Sequence, residues 1–250
     1  MTVDGAPAPV WRRALAEFLG TGLLVAIVVG SGIAAQRLSD DVGLQLLENS
    51  FATALGLGVL ILLFAPVSGA HFNPVVSLTD ALLGRADRSG LSPRVVVAYV
   101  VAQAVGGIGG AILANAMFDV STSISTTDRA TPSTLLAEVV ATAGLVLLIA
   151  GLTRAQRSIP VIAAAIGAYI GAAYWFTSST SFANPAVTLG RVFTDTFAGI
   201  APVSALWFVG AQLAGALIAV GLIGLLFPAA ADRPSPGSRS TLGDRPSLGR

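Results

Sequence analysis

Three stretches of this chain occur twice, in the same order. LAEFLGTGLLVAIVVG, around Glu17, returns as LAEVVATAGLVLLIAG around Glu138. FNPVVSL around Asn73 returns as ANPAVTL around Asn184, and YVVAQAVGGIGGA around Gln103 returns as WFVGAQLAGALIA around Gln212. The repeated stretches are largely apolar. Residues 95–117 and 203–227 carry no charge, and about 20 apolar residues take a helix across the hydrocarbon of a bilayer. Six spans are predicted, at about 14–35, 46–65, 95–117, 135–152, 159–176 and 203–227. Each copy of the repeat holds three. Three is odd, so the second copy enters the membrane from the opposite side. The halves are then inverted about an axis in the membrane plane, and broken segments at matching positions mark the path of a solute.

Composition agrees with a multi-pass membrane protein. Charged residues make up 11% of the 250, against about 25% in soluble domains. The first span runs directly into others and lacks a clear cleavage site, so no cleaved signal peptide is expected. A net charge of +1 gives no reason to expect a nucleic-acid partner. With no Cys, one His and two Met, neither a disulfide framework nor a metal or other cofactor is expected. No nucleophile–base pair stands out, so the chain is not expected to be an enzyme.

All fourteen basic residues are Arg. With both termini cytoplasmic, eleven face inward: Arg12, Arg13, Arg85, Arg88, Arg94, Arg154, Arg157, Arg233, Arg239, Arg245 and Arg250. Arg37, Arg129 and Arg191 face outward. That asymmetry satisfies the positive-inside rule, and a location in the cell (inner) membrane, surrounded by lipid, is expected. Residues 1–228 are expected to form one domain, with halves at about 11–120 and 133–228. Residues 229–250, rich in Pro, Ser, Gly and Arg, lack the apolar residues to fold and are expected to be disordered.

Two apolar segments, about 74–84 and 185–195, are too short to span the bilayer and are expected to be re-entrant. Each opens with Asn followed by Pro. Proline fits the first helical position, where its missing N–H costs nothing, and Asn just before it is a strong N-cap. Asn73–Pro74–Val75 and Asn184–Pro185–Ala186 therefore each start a short helix. Inversion brings both N-termini to the midplane. Each carries roughly half a positive charge, which repels cations, while the Asn amides donate to a passing neutral oxygen. Residues 68–71 and 179–182 are expected to run extended ahead of them, lining the path with carbonyls.

Glu17 and Glu138 lie inside apolar spans and must find partners. They act either as a proton or cation relay or as brackets that accept hydrogen bonds from the re-entrant backbone; their symmetric placement favours the bracket. Gln103 and Gln212 are expected to pack between helices in the same way. His71, before the first Asn–Pro turn, is either a pH gate at the inner mouth or a vestibule residue contributing mainly backbone. Tyr174, Trp175 and Phe176 read as an interfacial belt.

SGAHFNPVV, SFANPAV and the paired AE and AQ motifs resemble the aquaporins, or major intrinsic proteins, over about residues 11–228. The resemblance implies an all-α membrane fold of six transmembrane helices plus two re-entrant half-helices. It also implies a pore in each protomer of a homotetramer, and passive passage of water or small neutral solutes. This chain departs from the usual family pattern in two respects. Val75 stands where Ala is usual. Val187 stands where an Arg usually lines the narrowest constriction. Matching the remaining constriction positions gives Thr53, Ala172 and Ser181, so a wide, uncharged opening of Thr53, Ala172, Ser181 and Val187 is expected. Arg191, four residues after Val187 and hence on the same helix face, either reaches inward as a partial replacement or sits at the outer mouth, hydrated or paired with Asp195.

VGLQLLEN, FNPVVSL and FTSSTSFANPAV are similar to a bacterial branch often encoded beside arsenic-resistance genes, which suggests arsenous acid, As(OH)3, as a cargo leaving the cell. The absence of thiols that would trap arsenite fits it. Glycerol, urea and ammonia are competing cargoes. A proton-coupled secondary transporter using Glu17 or Glu138, and a non-conducting membrane protein, are the alternatives from other classes.

Overall fold

The computed structural model describes residues 8–85 and 89–227. The tail expected to be disordered, together with Arg88, Arg233, Arg239, Arg245 and Arg250, lies outside the described residues. Eight α-helices are found there: α1 Val10–Leu38, α2 Val42–Ser68, α3 Pro74–Leu83, α4 Pro93–Met117, α5 Pro132–Arg154, α6 Ile159–Phe176, α7 Pro185–Gly190 and α8 Pro202–Leu226. A 3-10 turn, Arg191–Phe193, follows α7. Proline sets where most of them begin, occupying the first or second position of α3, α4, α5, α6, α7 and α8. Six helices are long and apolar enough to cross a membrane. Several outrun the predicted spans: α2 continues through Pro66 to Ser68 and stops at Gly69, whose φ of 91° only glycine adopts freely.

The repeat is visible in the packing. Helix α1 lies along α4, and α5 along α8. Both contacts need glycine at the same place. A Cβ on Gly106 would stand 2.3 Å from the Phe18 carbonyl oxygen, and one on Gly215 would stand 2.4 Å from that of Val139. Phe18 and Val139 follow the two glutamates directly, so the close approach also brings Gln103 and Gln212 up to those carboxylates. The outer faces of the long helices carry exposed Leu, Val, Phe and Trp, as a surface that meets lipid or another copy requires.

The arginines separate by end. Arg37 donates to the carbonyl of Phe118, and Arg129 to those of Gly199 and Phe197, at one end of the bundle. Arg13 binds Tyr99 near the start of α4, and Arg154 reaches the carbonyl of Phe227 past the end of α8, both at the other end.

Candidate functional site: a pore between two half-helices

The loops before α3 and α7 do not run as simple extended chain. Ala70 and Phe72 take φ of 52° and 49°, and Thr180, Ser181 and Ala183 take 61°, 51° and 47°. Non-glycine residues held in the left-handed region cost about 1–3 kcal/mol each. The conformation is stabilised by what it points at. Successive N–H groups in such a turn form a concavity that binds an anion, and here the anion is a side chain of the protein itself. The Glu17 carboxylate accepts from the N–H groups of His71 (3.0 Å) and Phe72 (2.6 Å), the Ser68 hydroxyl (2.6 Å) and the Gln103 amide (2.7 Å). The Glu138 carboxylate accepts from the N–H groups of Phe182 and Ala183 (2.9 Å each), the Ser179 hydroxyl (2.6 Å) and the Gln212 amide (2.6 Å). Each buried carboxylate thus has four donors. Each Gln amide nitrogen also reaches a half-helix hydroxyl, Gln103 to Ser77 and Gln212 to Thr188.

The two asparagines lock the half-helices head to head. Asn73 Oδ1 caps the Val75 N–H, and Asn184 Oδ1 caps those of Ala186 and Val187. The side-chain amides cross over: Asn73 donates to the Ala183 carbonyl and Asn184 to the Phe72 carbonyl, each at 2.8 Å. The two N-terminal dipoles therefore face a common point.

A single cavity of about 950 Å³ passes this point. One stripe of α6 lines it, through Ile159, Ile162, Ile166, Ile170 and Tyr174. At 1.5 Å per residue that stripe covers about 22 Å, most of the hydrocarbon thickness. Thr53, Leu57, Ile61 and Ala65 of α2 form a second stripe. Of the two Asn-Pro tripeptides only the asparagines line the cavity. Val75 packs in a cluster with Val146, Ala216 and Ile223. Pro74, Pro185 and Ala186 are held in the surrounding structure, and the Ala186 carbonyl would stand 2.6 Å from a Cβ on Gly107.

At the end of the cavity reached by Thr53 and Val187 the structure corrects the expected constriction. Thr53, Ser181 and Val187 line the cavity, but Ala172 is exposed on the outside of α6. Tyr174, read from sequence as part of a belt, is 3% exposed on the cavity wall, and its hydroxyl lies 3.1 Å from that of Thr53. Trp175 and Phe176 are indeed exposed. Phe182 also lines the cavity, with its ring edge-to-face on Phe208. The opening is therefore neither wholly small nor uncharged, because Arg191 is on the wall too. Arg191 is 2% exposed, donates to the Ala198 carbonyl, and stacks its guanidinium 3.5 Å from the centre of the Phe182 ring. It is not paired with Asp195, whose carboxylate accepts from Thr126 and Ser125 instead. Tyr174 shares a face with the isoleucines of the α6 stripe. It continues the i, i+4 series from Ile166 and Ile170, whereas Ala172 lies out of phase with it.

Toward the opposite end His71 lines the cavity, its Nδ1 3.1 Å from the Ser77 hydroxyl and its ring edge-on to Tyr99. Among the described residues no group of three His, Asp or Glu is placed to hold a metal ion.

The arrangement selects small uncharged molecules. Its middle offers amide donors and two like dipole ends, the α2 and α6 stripes of its wall are largely apolar, and each buried carboxylate is engaged by four donors. The comparisons with known proteins agree. The family model described as major intrinsic protein matches residues 6–181. Aquaglyceroporin AqpS of Rhizobium meliloti is 50% identical over 214 residues, 85% of this chain and 88% of that protein. Aquaporin-5 of Ovis aries is 29% identical over 87% of this chain and 82% of its own length. The crystal structure of the aquaglyceroporin from Plasmodium falciparum shares the fold, with a TM-score of 0.66 at 19% identity over 87% of this chain and 97% of the other. The chain belongs to the major intrinsic protein family and is a multi-pass membrane channel for passive flow of water and small solutes.

Proposed function

We propose that this channel passes neutral hydroxyl-bearing solutes larger than water, glycerol and arsenous acid foremost, down their own gradients. The observation that carries the reading is the cavity itself. It is one space of about 950 Å³, apolar along the α2 and α6 stripes and polar where the Asn73 and Asn184 amides meet. Such a path suits molecules with an apolar side and a polar side. Val187, where a larger basic residue would narrow the path, leaves room for them. The aquaglyceroporin AqpS, half identical to this chain, supports the same solute class by its name, as does the propanediol uptake facilitator PduF of Citrobacter freundii, 34% identical over 43% of this chain. As(OH)3, with three hydroxyls around one centre, resembles a polyol in its hydrogen bonding. A channel for it serves efflux when arsenite is produced inside the cell.

The same reading takes the family's arrangement of four protomers, each with its own pore, in the cell membrane. The end bearing Arg13 and Arg154 faces the cytoplasm with both termini, as the arginine distribution suggests. Residues 1–228 act as one channel domain. Glu17 and Glu138 serve as brackets; a proton-coupled transporter would need one of them free to change partners, whereas each already serves four donors.

The test is stopped-flow light scattering on proteoliposomes with water, glycerol, urea and As(OH)3, alongside a Val187→Arg variant. Glycerol and As(OH)3 are expected to enter far faster than through protein-free lipid. Val187→Arg is expected to slow both by about tenfold or more relative to water, the scale of one misplaced charged hydrogen-bonding group. Flux of water alone through the unsubstituted channel would remove the metalloid and polyol reading.

A further inference from the structure

The two copies of the repeat differ where their first helices start. Ahead of Glu17 stand Trp11, Arg12 and Arg13; the matching positions ahead of Glu138 are Pro132, Ser133 and Thr134. One turn before Gln103 stands Tyr99, and one turn before Gln212 stands Phe208. Both rings are fully buried, and each meets its own loop edge-to-face, Tyr99 on His71 and Phe208 on Phe182. The scaffold of one copy is thus complete with an apolar ring and no arginine. The polar set in the other copy exceeds what the fold needs.

In that set one arginine is held in place. The buried Tyr99 hydroxyl donates to the Ser68 carbonyl (2.6 Å) and accepts from Arg13 Nε (2.9 Å). Among the described residues the two terminal nitrogens of Arg13 have no hydrogen-bond partner, and no carboxylate pairs with Arg12 or Arg13. Arg12 is exposed, its guanidinium 5.1 Å from the centre of the Trp11 ring.

The position of the pair points to its partner. Helix α1 has 29 residues, about 43 Å at 1.5 Å per residue, against about 30 Å of hydrocarbon. Its first turn therefore stands in the headgroup layer. From there Trp11, Leu15, Leu19 and Leu23, all exposed, form one i, i+4 stripe along the helix. The stripe covers about 18 Å, a little more than the depth of one leaflet.

We propose that Arg12 and Arg13 bind the phosphate of an anionic phospholipid whose acyl chain lies along the stripe from Trp11 to Leu23. The free guanidinium nitrogens grip phosphate oxygens, a geometry that arginine suits. The Trp11 ring sits where polar headgroup gives way to chain. Tyr99 is a positioning residue: by holding Nε it reduces the side-chain freedom Arg13 must lose on binding. A zwitterionic headgroup carries the same phosphate together with a cation that the arginines repel, so it binds more weakly. The site goes beyond the solute reading above and holds whichever solute the pore carries.

The experiment uses the full chain with Trp175→Phe and Trp207→Phe, which leaves Trp11 as the sole tryptophan. In bilayers its fluorescence is quenched by brominated phosphatidylglycerol or brominated phosphatidylcholine, and the ratio of the two association constants is read. Phosphatidylglycerol is expected to be favoured about fivefold or more, the attraction of one arginine to an anionic membrane surface. Arg12→Gln combined with Arg13→Gln should bring the ratio to about one. Tyr99→Phe, which installs the ring the other copy already carries, should lower the ratio only in part. A chain in which Trp175 is the sole tryptophan reports on the opposite end and should show no preference. Equal association of the two lipids at Trp11, a preference that survives the loss of both arginines, or the same preference at Trp175 would each overturn the proposal. Should the single-tryptophan protein not fold, the difference in quenching between the unsubstituted chain and Trp11→Phe reads the same ratio and is judged in the same way.

Discussion

The two re-entrant loops are built alike and finished differently. In each, a serine hydroxyl, two consecutive N–H groups and a glutamine amide converge on one glutamate, and the matching distances agree within 0.3 Å. In each, Asn caps its own half-helix and donates to the opposite loop. Beyond that layer they diverge. His71 in one loop corresponds to Phe182 in the other, and Phe72 to Ala183. Helix α3 runs ten residues, whereas α7 stops after six and turns Arg191 onto the cavity. The shared parts hold the backbone where the two half-helices meet. The parts that differ line the cavity to either side of the asparagines.

The shared layer should break hardest. Glu138→Ala and Glu17→Ala each strand four buried donors, and an unsatisfied buried group costs about 1–3 kcal/mol. The sum rivals a typical folding free energy of about 5–15 kcal/mol. Neither variant is expected to give a monodisperse peak on size exclusion in detergent. One variant behaving normally would show that the halves are not equivalent supports.

The paired glycines come next. Gly106→Ala and Gly215→Ala each drive a Cβ into a carbonyl of the partner helix, and overpacking of this kind costs about 1–3 kcal/mol. Both should lower the thermal unfolding midpoint, by similar amounts. A shift in only one would show that the matching contacts carry unequal load.

Removing the caps sharpens the comparison further. Asn73→Ala and Asn184→Ala should each cost about 0.5–2 kcal/mol. Asn184→Ala should cost more in the same assay, because Asn184 caps two N–H groups to the single one of Asn73.

The smallest effect belongs to the loop between α4 and α5, which has no counterpart in the repeat pattern. The Thr126 N–H, followed by the Thr126 and Ser125 hydroxyls, holds the exposed Asp195 carboxyl below the ordinary aspartate range. A depressed folded value means the tether contributes stability above the unfolded pKa, and loses it as pH falls through the folded one. Hydrogen exchange at the Thr126 amide should be unaffected from pH 8 to about 5 after correction for the intrinsic rate, and should lose protection below about pH 4. Asp195→Asn should remove that dependence while leaving the pore layer protected.

Much of the fold was legible because it depends on local properties. Uncharged runs of the right length mark spans, Asn before Pro marks a helix start, and an odd number of spans per repeat dictates inversion. These follow from hydration, capping and chain connectivity, whatever the neighbours are. The faces of the helices are a different matter. Ala172 and Tyr174 lie two residues apart on α6, and only the rotation of that helix decides which lines the path. That rotation is set by α2: Gly167 and Gly171 nestle against Ala54, where a Cβ would stand 2.5 Å from its carbonyl oxygen and 2.9 Å from its Cβ. With those glycines turned to α2, Tyr174 points at the cavity and Ala172 away from it. Local spacing left the place of Arg191 open between the path and the mouth, because the choice depends on a carbonyl at Ala198 and a ring at Phe182, brought together only by the folding of the loop that follows α7. The sequence by itself therefore determined a doubled, inverted bundle with two asparagines meeting in the middle, since each of those features rests on short-range physics. The tertiary structure alone decided which side chains line the cavity near Tyr174 and Arg191, because a side chain's exposure to the path depends on how the helices turn against one another.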